Sequence, residues 1–167
     1  MRSNVKKEEE LYPPMCTWLK SYLKDKYKKQ ECRITVIDCH LLYLDSVLEK
    51  YGVINYFPQT VGLKIQIDVL GIVEWKDDAK IFFIEAKKNN LTLQNLGQLL
   101  IYCRLCNPEE AYLLSSKGVG ALEKVFVNLR REDILDFGVG RVIKKINIAK
   151  WDVTRNTVSQ LSRIPKL

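Results

Sequence analysis

Three residues open a chemical reading of the chain: Asp68, and further along Glu85 and Lys87, an aspartate followed by a Glu-x-Lys pattern. Two carboxylates can hold a hard divalent cation such as Mg²⁺, which prefers oxygen ligands and keeps several waters. A cation held there would polarise a phosphate and lower the pKa of a bound water. A nearby lysine can orient that water or stabilise charge on a phosphorane. The residue types therefore fit phosphodiester hydrolysis. A plainer account fits the same letters: Glu85 and Lys87 as an exposed ion pair of little worth, with Asp68 capping a neighbouring backbone.

The setting of these residues separates the two accounts. Residues 61–75 (VGLKIQIDVLGIVEW) and 80–87 (KIFFIEAK) are rich in Ile, Val and Phe and read as strands. The polar stretch Lys76-Asp77-Asp78-Ala79 between them reads as a hairpin turn. Strand alternation predicts Lys64, Gln66, Asp68 and Leu70 on one face, with Ile65, Ile67 and Val69 opposite. It likewise sets Phe83, Glu85 and Lys87 on one face of the next strand, with Ile84 and Ala86 opposite. An aspartate in an apolar strand calls for a partner or a cation, because a desolvated carboxylate is costly. A hairpin spanning the 17 residues from Asp68 to Glu85 can bring both carboxylates and the ammonium together at the ends of adjacent strands.

Other elements must hold that hairpin. Leu11, Met15, Trp18, Leu19, Tyr22 and Leu23 recur at helical spacing and predict a helix over 8–29, with Pro13 and Pro14 in its first turn or at a kink. A short strand is expected at 33–37, then a helix through 41–51 that stops at Gly52. An amphipathic helix follows the Glu-x-Lys strand from about Thr92 to Leu105, closed by Asn107-Pro108. AYLLSS (111–116) reads as a strand and 119–130 as a helix. RVIKKINI (141–148) and Trp151 read as a late strand and an irregular tail. Helices flanking a mixed central sheet predict an α/β fold, a three-layer α/β/α sandwich. No repeat, linker or low-complexity stretch divides the chain, so residues 1–167 are expected to form a single domain.

The order of these pieces, a helix with a glutamate, a strand with Asp68, a hairpin, a strand with Glu85-Ala86-Lys87 and then a helix, resembles the PD-(D/E)XK nuclease superfamily over roughly residues 8–116. The resemblance implies a restriction-endonuclease-like fold. It makes Asp68 and Glu85 metal ligands, with the Ala86 carbonyl contributing, and Lys87 the catalytic lysine. Ile67 stands where the superfamily's name has proline. Gln98 and Tyr102, on the helix that follows, are similar to the Q-x-x-x-Y element of the RecB-like and lambda-exonuclease-like branches; that likeness gives Gln98 a metal-bound water or a phosphate, and Tyr102 a DNA phosphate. Four residues apart, they share a helix face, although a packed tyrosine beside a solvated glutamine fits equally. Related nucleases carry a glutamate on the first helix that completes the metal site. Glu8, on the inward face with Leu11, Met15 and Tyr22, is the choice here, Glu10 is next, and Glu9 stays open.

Composition points the same way. Lys and Arg total 27 against 20 Asp and Glu, a formal charge of +7, which favours an anionic partner such as nucleic acid. The five lysines between Lys20 and Lys29 read as a solvated face. A single histidine, His40, reads as structural and argues against HNH-type or histidine-base cleavage. The five cysteines follow no disulfide-framework spacing, and Cys103 and Cys106 read as core thiols on an apolar helix, which fits a reducing compartment. Gly118-Val119-Gly120 reads as a tight turn. No apolar run approaches a membrane span, and the opening MRSNVKKEEELYPP has no apolar core, so a soluble cytoplasmic protein is expected. The expectation is thus a Mg²⁺-dependent (Mn²⁺ substituting) DNA endonuclease of restriction or repair type, working as a homodimer. Two alternatives stand beside it. One is a catalytically weak DNA-binding module or the nuclease subunit of a larger complex; the other is a nuclease acting on RNA or on flap or branched DNA.

Overall fold

The computed structural model describes residues 5–167. Helix α1 (Tyr12–Lys26) continues from a 3₁₀ turn, Glu8–Leu11. Pro13 and Pro14 fall in its first turn, where their missing N–H groups have no helical partner to lose. Strand β1 (Arg33–Asp38), helix α2 (Leu44–Lys50), strands β2 (Val69–Glu74) and β3 (Ala79–Lys87), helix α3 (Leu93–Cys106) and strand β4 (Glu110–Ser115) follow. The last third adds β5 (Asp136–Phe137), β6 (Lys144–Lys145), β7 (Asn147–Asp152) and β8 (Thr157–Val158).

Six strands make one mixed sheet in the order β1-β2-β3-β4-β7-β8, while β5 and β6 pair separately. The meander β1-β2-β3 is antiparallel; β3 with β4 and β4 with β7 are parallel. A parallel neighbour demands a crossover, and α3 supplies the one between β3 and β4. Thr92 caps α3 by accepting a hydrogen bond from the Asn95 N–H (3.2 Å), and the Asn95 side chain accepts one from the Thr92 N–H (3.0 Å). Asn107, left-handed at φ 52, ends it.

Both sheet faces are covered. Leu11, Met15, Leu19 and Leu23 of the N-terminal helix pack on Val69, Phe82 and Ile84. Leu44 and Leu48 of α2 and Leu96, Leu99 and Cys103 of α3 pack on Leu70, Ile81 and Phe83. Alternation along β3 sorts these residues: odd positions face α3 and even positions face α1. The chain is thus mixed α/β, with a curled six-stranded sheet between helices. No helix among the described residues is long and apolar enough to cross a membrane.

Three sequence expectations are corrected. The strand read over 61–75 begins only at Val69. Gly62 (φ 77) and Lys64 (φ 54) are both left-handed and bend residues 61–68 toward α2, where the Leu44 N–H donates to the Ile65 carbonyl (2.8 Å). Ile65 and Ile67 consequently pack with Leu70, and the predicted alternation does not run back through Asp68. The helix expected over 119–130 is reduced to a short turn with π-type bonding at Lys124–Asn128, which starts after Gly120 takes a left-handed φ of 55. Finally, RVIKKINI is not one strand. Its lysines pair with β5 and its last residues open β7, because Ile146 between them is drawn into the core and donates its N–H to the Leu135 carbonyl (2.9 Å). Trp151 lies in β7, fully buried, and not in an irregular tail.

Candidate active site

The β2–β3 register pairs Val69 with Ile84, so the residue before β2, Asp68, arrives beside Glu85. The two acids interlock through the backbone. Glu85 Oε1 accepts from the Asp68 N–H (3.2 Å), and Asp68 Oδ2 accepts from the Ala86 N–H (2.9 Å). Among the described residues Glu85 is the one buried charged side chain, at 7 % exposure. Lys87, two residues on and on the same face of β3, places its Nζ 3.9 Å from Glu85 Oε2 and 3.8 Å from Glu8 Oε1. Glu8 reaches the same point from the 3₁₀ turn before α1, its Oε2 accepting from the Lys88 N–H (3.3 Å). Glu8, Asp68, Glu85 and Lys87 therefore meet at one end of the sheet, and the Ala86 main chain threads between them.

Burial decides the electrostatics. Desolvation pushes the Glu85 carboxyl well above the usual carboxylate range, the Asp68 charge pushes it further, and the Lys87 ammonium only partly opposes both. Asp68 is raised by burial too, against the Ala86 N–H and Lys87, which favour its charged form. Two buried carboxylates side by side bind a proton readily, and a dication would displace that proton.

Two further residues reach the site that their sequence positions did not reveal. Tyr12 is buried beside Asp68 and Glu8, and burial and the surrounding acids raise its pKa. Its place four residues after Glu8 is the available signal, and Tyr12 is not among the apolar positions from which the helix is read. His40 sits beside it, ring centroids 4.8 Å apart. Its Nδ1 is 2.5 Å from Asp38 Oδ1 and its Nε2 3.9 Å from Glu9 Oε1, and the Asp38 hydrogen bond raises its pKa. Read as structural from the sequence, His40 borders the acidic cluster; no motif in the chain signals that.

The remaining candidates fall elsewhere. Gln98 Nε2 donates to the Tyr102 hydroxyl (3.1 Å) on the outer side of α3. Among the described residues, no hydrogen bond joins either to Asp68, Glu85 or Lys87. Glu10 accepts from the Lys6 N–H (3.2 Å) and lines a cleft with Trp151, away from Lys87. The turn at Gly118–Gly120 braces the end of β3. Gly118 O accepts from the Leu91 N–H (3.1 Å), and a Cβ on Gly120 would stand 2.9 Å from the Leu91 carbonyl. Ser115 Oγ donates to the Asn89 carbonyl and accepts from the Lys117 and Gly118 N–H groups, fixing the loop after Lys87. Cys103 and Cys106 are both buried free thiols.

The donor set suits a hard cation in kind: carboxylate oxygens of Asp68 and Glu85, the Ala86 carbonyl, and Glu8 close by. Among the described residues no three His, Cys, Asp or Glu side chains form a ready-made metal cluster. No family model matches the chain, and no curated protein or solved structure is detectably similar to it.

Proposed function

We propose that the protein is a metal-dependent nuclease of the restriction-endonuclease-like, PD-(D/E)XK type, with α1 on one side of its sheet and α2 and α3 on the other forming the three-layer sandwich that type implies. The observation that carries the reading is the interlocked Asp68–Glu85 pair, with Lys87 Nζ 3.9 Å from Glu85. A buried pair of acids with raised proton affinity costs stability, and a bound dication repays it. Asp68, Glu85 and the Ala86 carbonyl would hold Mg²⁺, or Mn²⁺ in its place, with Glu8 the next donor. When bound, the cation supplies Lewis-acid polarisation of the phosphate and a more acidic water.

The chain's own residues do the rest. The Ala86 N–H holds the Asp68 carboxylate in one orientation, with Tyr12 buried beside it, and the Asp68 N–H does the same for Glu85. Lys87, restrained between Glu85 and Glu8, presents its ammonium to a phosphate oxygen as negative charge develops there. The net charge of +7 favours a polyanionic substrate. DNA cut endonucleolytically is the substrate and mode we assign, with two copies of the chain needed to cut both strands, since one domain carries one such site. Gln98 and Tyr102 are assigned to the DNA phosphates of the incoming strand rather than to the metal, in keeping with an exposed Gln98 bonded to a half-buried Tyr102 on α3.

A panel of labelled oligonucleotides (duplex, single-stranded, flap and branched DNA, and RNA) incubated with Mg²⁺ tests the reading against its alternatives. Cleavage of at least one substrate, lost in Asp68→Ala, is expected. Salt-sensitive binding with no cleavage in Mg²⁺ or Mn²⁺ would favour the non-catalytic DNA-binding module.

A further inference from the structure

Two surface loops beside the acidic cluster carry apolar side chains that the catalytic reading leaves unexplained. Leu41, Leu42 and Tyr43 lie between β1 and α2 and are 77 %, 50 % and 45 % exposed; Val61 and Leu63 lie in the segment leading to Asp68 and are 60 % and 41 % exposed. The loops are joined: Gly62 N–H donates to Asp45 Oδ2 (2.9 Å) and Leu44 N–H to the Ile65 carbonyl (2.8 Å). They are also joined to the site, because the Cys39 N–H donates to the Asp68 carbonyl (3.1 Å) and His40 follows directly. An apolar lip therefore borders the place where a phosphate would react. Exposed Lys64 flanks it, and partly exposed His40 stands beside the site with its Nδ1 on Asp38 and its Nε2 3.9 Å from Glu9.

Water-exposed leucines of this kind need a partner, and the lip itself indicates which. Full coverage of the five side chains would remove about 500 Å² per chain, short of the roughly 800 Å² that each partner of a standard protein interface buries. The lip is continuous with the site, and a lysine, Lys64, stands at its margin. Nucleic-acid bases match it better: their faces are apolar, while the phosphates joining them take a cation. In a regular duplex those faces are stacked and out of reach. Aliphatic side chains meet them only by wedging open a step or by receiving bases already unpaired.

Resting on the nuclease reading, we propose that the Leu41–Tyr43 and Val61–Leu63 loops receive unstacked bases, so that the preferred substrate carries unpaired nucleotides next to the cleaved bond. Binding tests this separately from turnover. A fluorescein-labelled duplex and the same duplex with a single-stranded flap are titrated with wild type and with a Leu41→Ser/Leu42→Ser/Leu63→Ser variant, in Ca²⁺ to hold off cleavage, with 2-aminopurine in the flap reporting unstacking. The flap is expected to bind at least about tenfold tighter than the duplex, with a 2-aminopurine change on binding, and the variant should lose that preference while keeping its duplex affinity. Equal affinities for the two substrates, an unchanged preference in the variant, or a variant that sediments as a monomer where wild type is a dimer would each overturn the proposal. Should no substrate be cleaved in Mg²⁺, the nuclease reading falls, yet the binding preference is still measured.

Discussion

At the scale of single residues, Glu85 sets the character of the site. Burial, and then the neighbouring Asp68 charge, raise its carboxyl pKa from the ordinary 4.5 to about 8. A folded-state pKa above the unfolded value means that the folded protein holds the proton more tightly. That contribution to stability is complete below about pH 4.5 and is lost as pH rises toward 8. The metal-free protein should therefore be strained at pH 8, and Glu85→Gln should stabilise it there by about 1–3 kcal/mol while destroying activity. Thermal unfolding in a chelator at pH 8 and at pH 4.5 measures this; a variant less stable than wild type at pH 8 contradicts it. Saturating Mg²⁺ should raise the wild-type melting temperature and leave that of Glu85→Gln nearly unchanged. The types and spacing of Asp68, Glu85 and Lys87 were legible in the sequence because Glu-x-Lys on a strand needs only alternation. Tyr12 and His40 were not, since their approach to Asp68 depends on how α1 and the end of β1 cross, and neighbouring letters carry no trace of that.

At the scale of elements, the site depends on α1 lying flat against β1 and β2, because Glu8 enters from the turn that precedes it and that turn reaches β3. Gly71 makes this contact possible. A Cβ there would stand 3.0 Å from Leu23 Cδ1, 3.1 Å from Leu19 Cδ2 and 3.2 Å from Phe82 Cβ. Gly71→Ala should therefore lift the helix and destabilise the fold by about 1–3 kcal/mol, as overpacking does. It should also weaken metal affinity through Glu8 more than Thr92→Ala does. That second change removes only the N-cap of α3 and should cost about 1 kcal/mol. Denaturant unfolding of the two variants, with Mg²⁺ titrations on each, separates these effects. Most long elements were readable from periodicity and caps: α1 from its repeating apolar face, α3 from Thr92 and Asn107, the hairpin from its acidic turn. The misread stretches share a physical cause. Left-handed Gly62, Lys64 and Gly120 bend the chain inside apolar runs that look continuous, and Ile146 splits another by turning into the core.

At the scale of the whole molecule, a mixed sheet covered on both faces leaves the open end of β2 and β3 as the place where buried acids meet solvent. Lys87 and Lys88 lie near Glu8 there, the Lys88 ammonium donating to the Lys6 carbonyl, and would suit the anionic substrate proposed. DNA affinity should accordingly fall linearly in log–log form as salt rises, with a slope set by the number of phosphates contacted. Fluorescence anisotropy at several salt concentrations reads it, and salt-independent binding would argue against a phosphate-tracking surface. The measurement that bears most directly on the central claim is single-turnover cleavage of supercoiled plasmid against Mg²⁺ concentration, wild type beside Lys87→Ala, with metal binding followed by calorimetry on both. Saturable, Mg²⁺-dependent cleavage by wild type is expected, together with Lys87→Ala binding Mg²⁺ but cleaving at least about a hundredfold more slowly, the scale on which single electrostatic donors act. Absence of cleavage in wild type, or cleavage that Lys87→Ala retains in full, would contradict it.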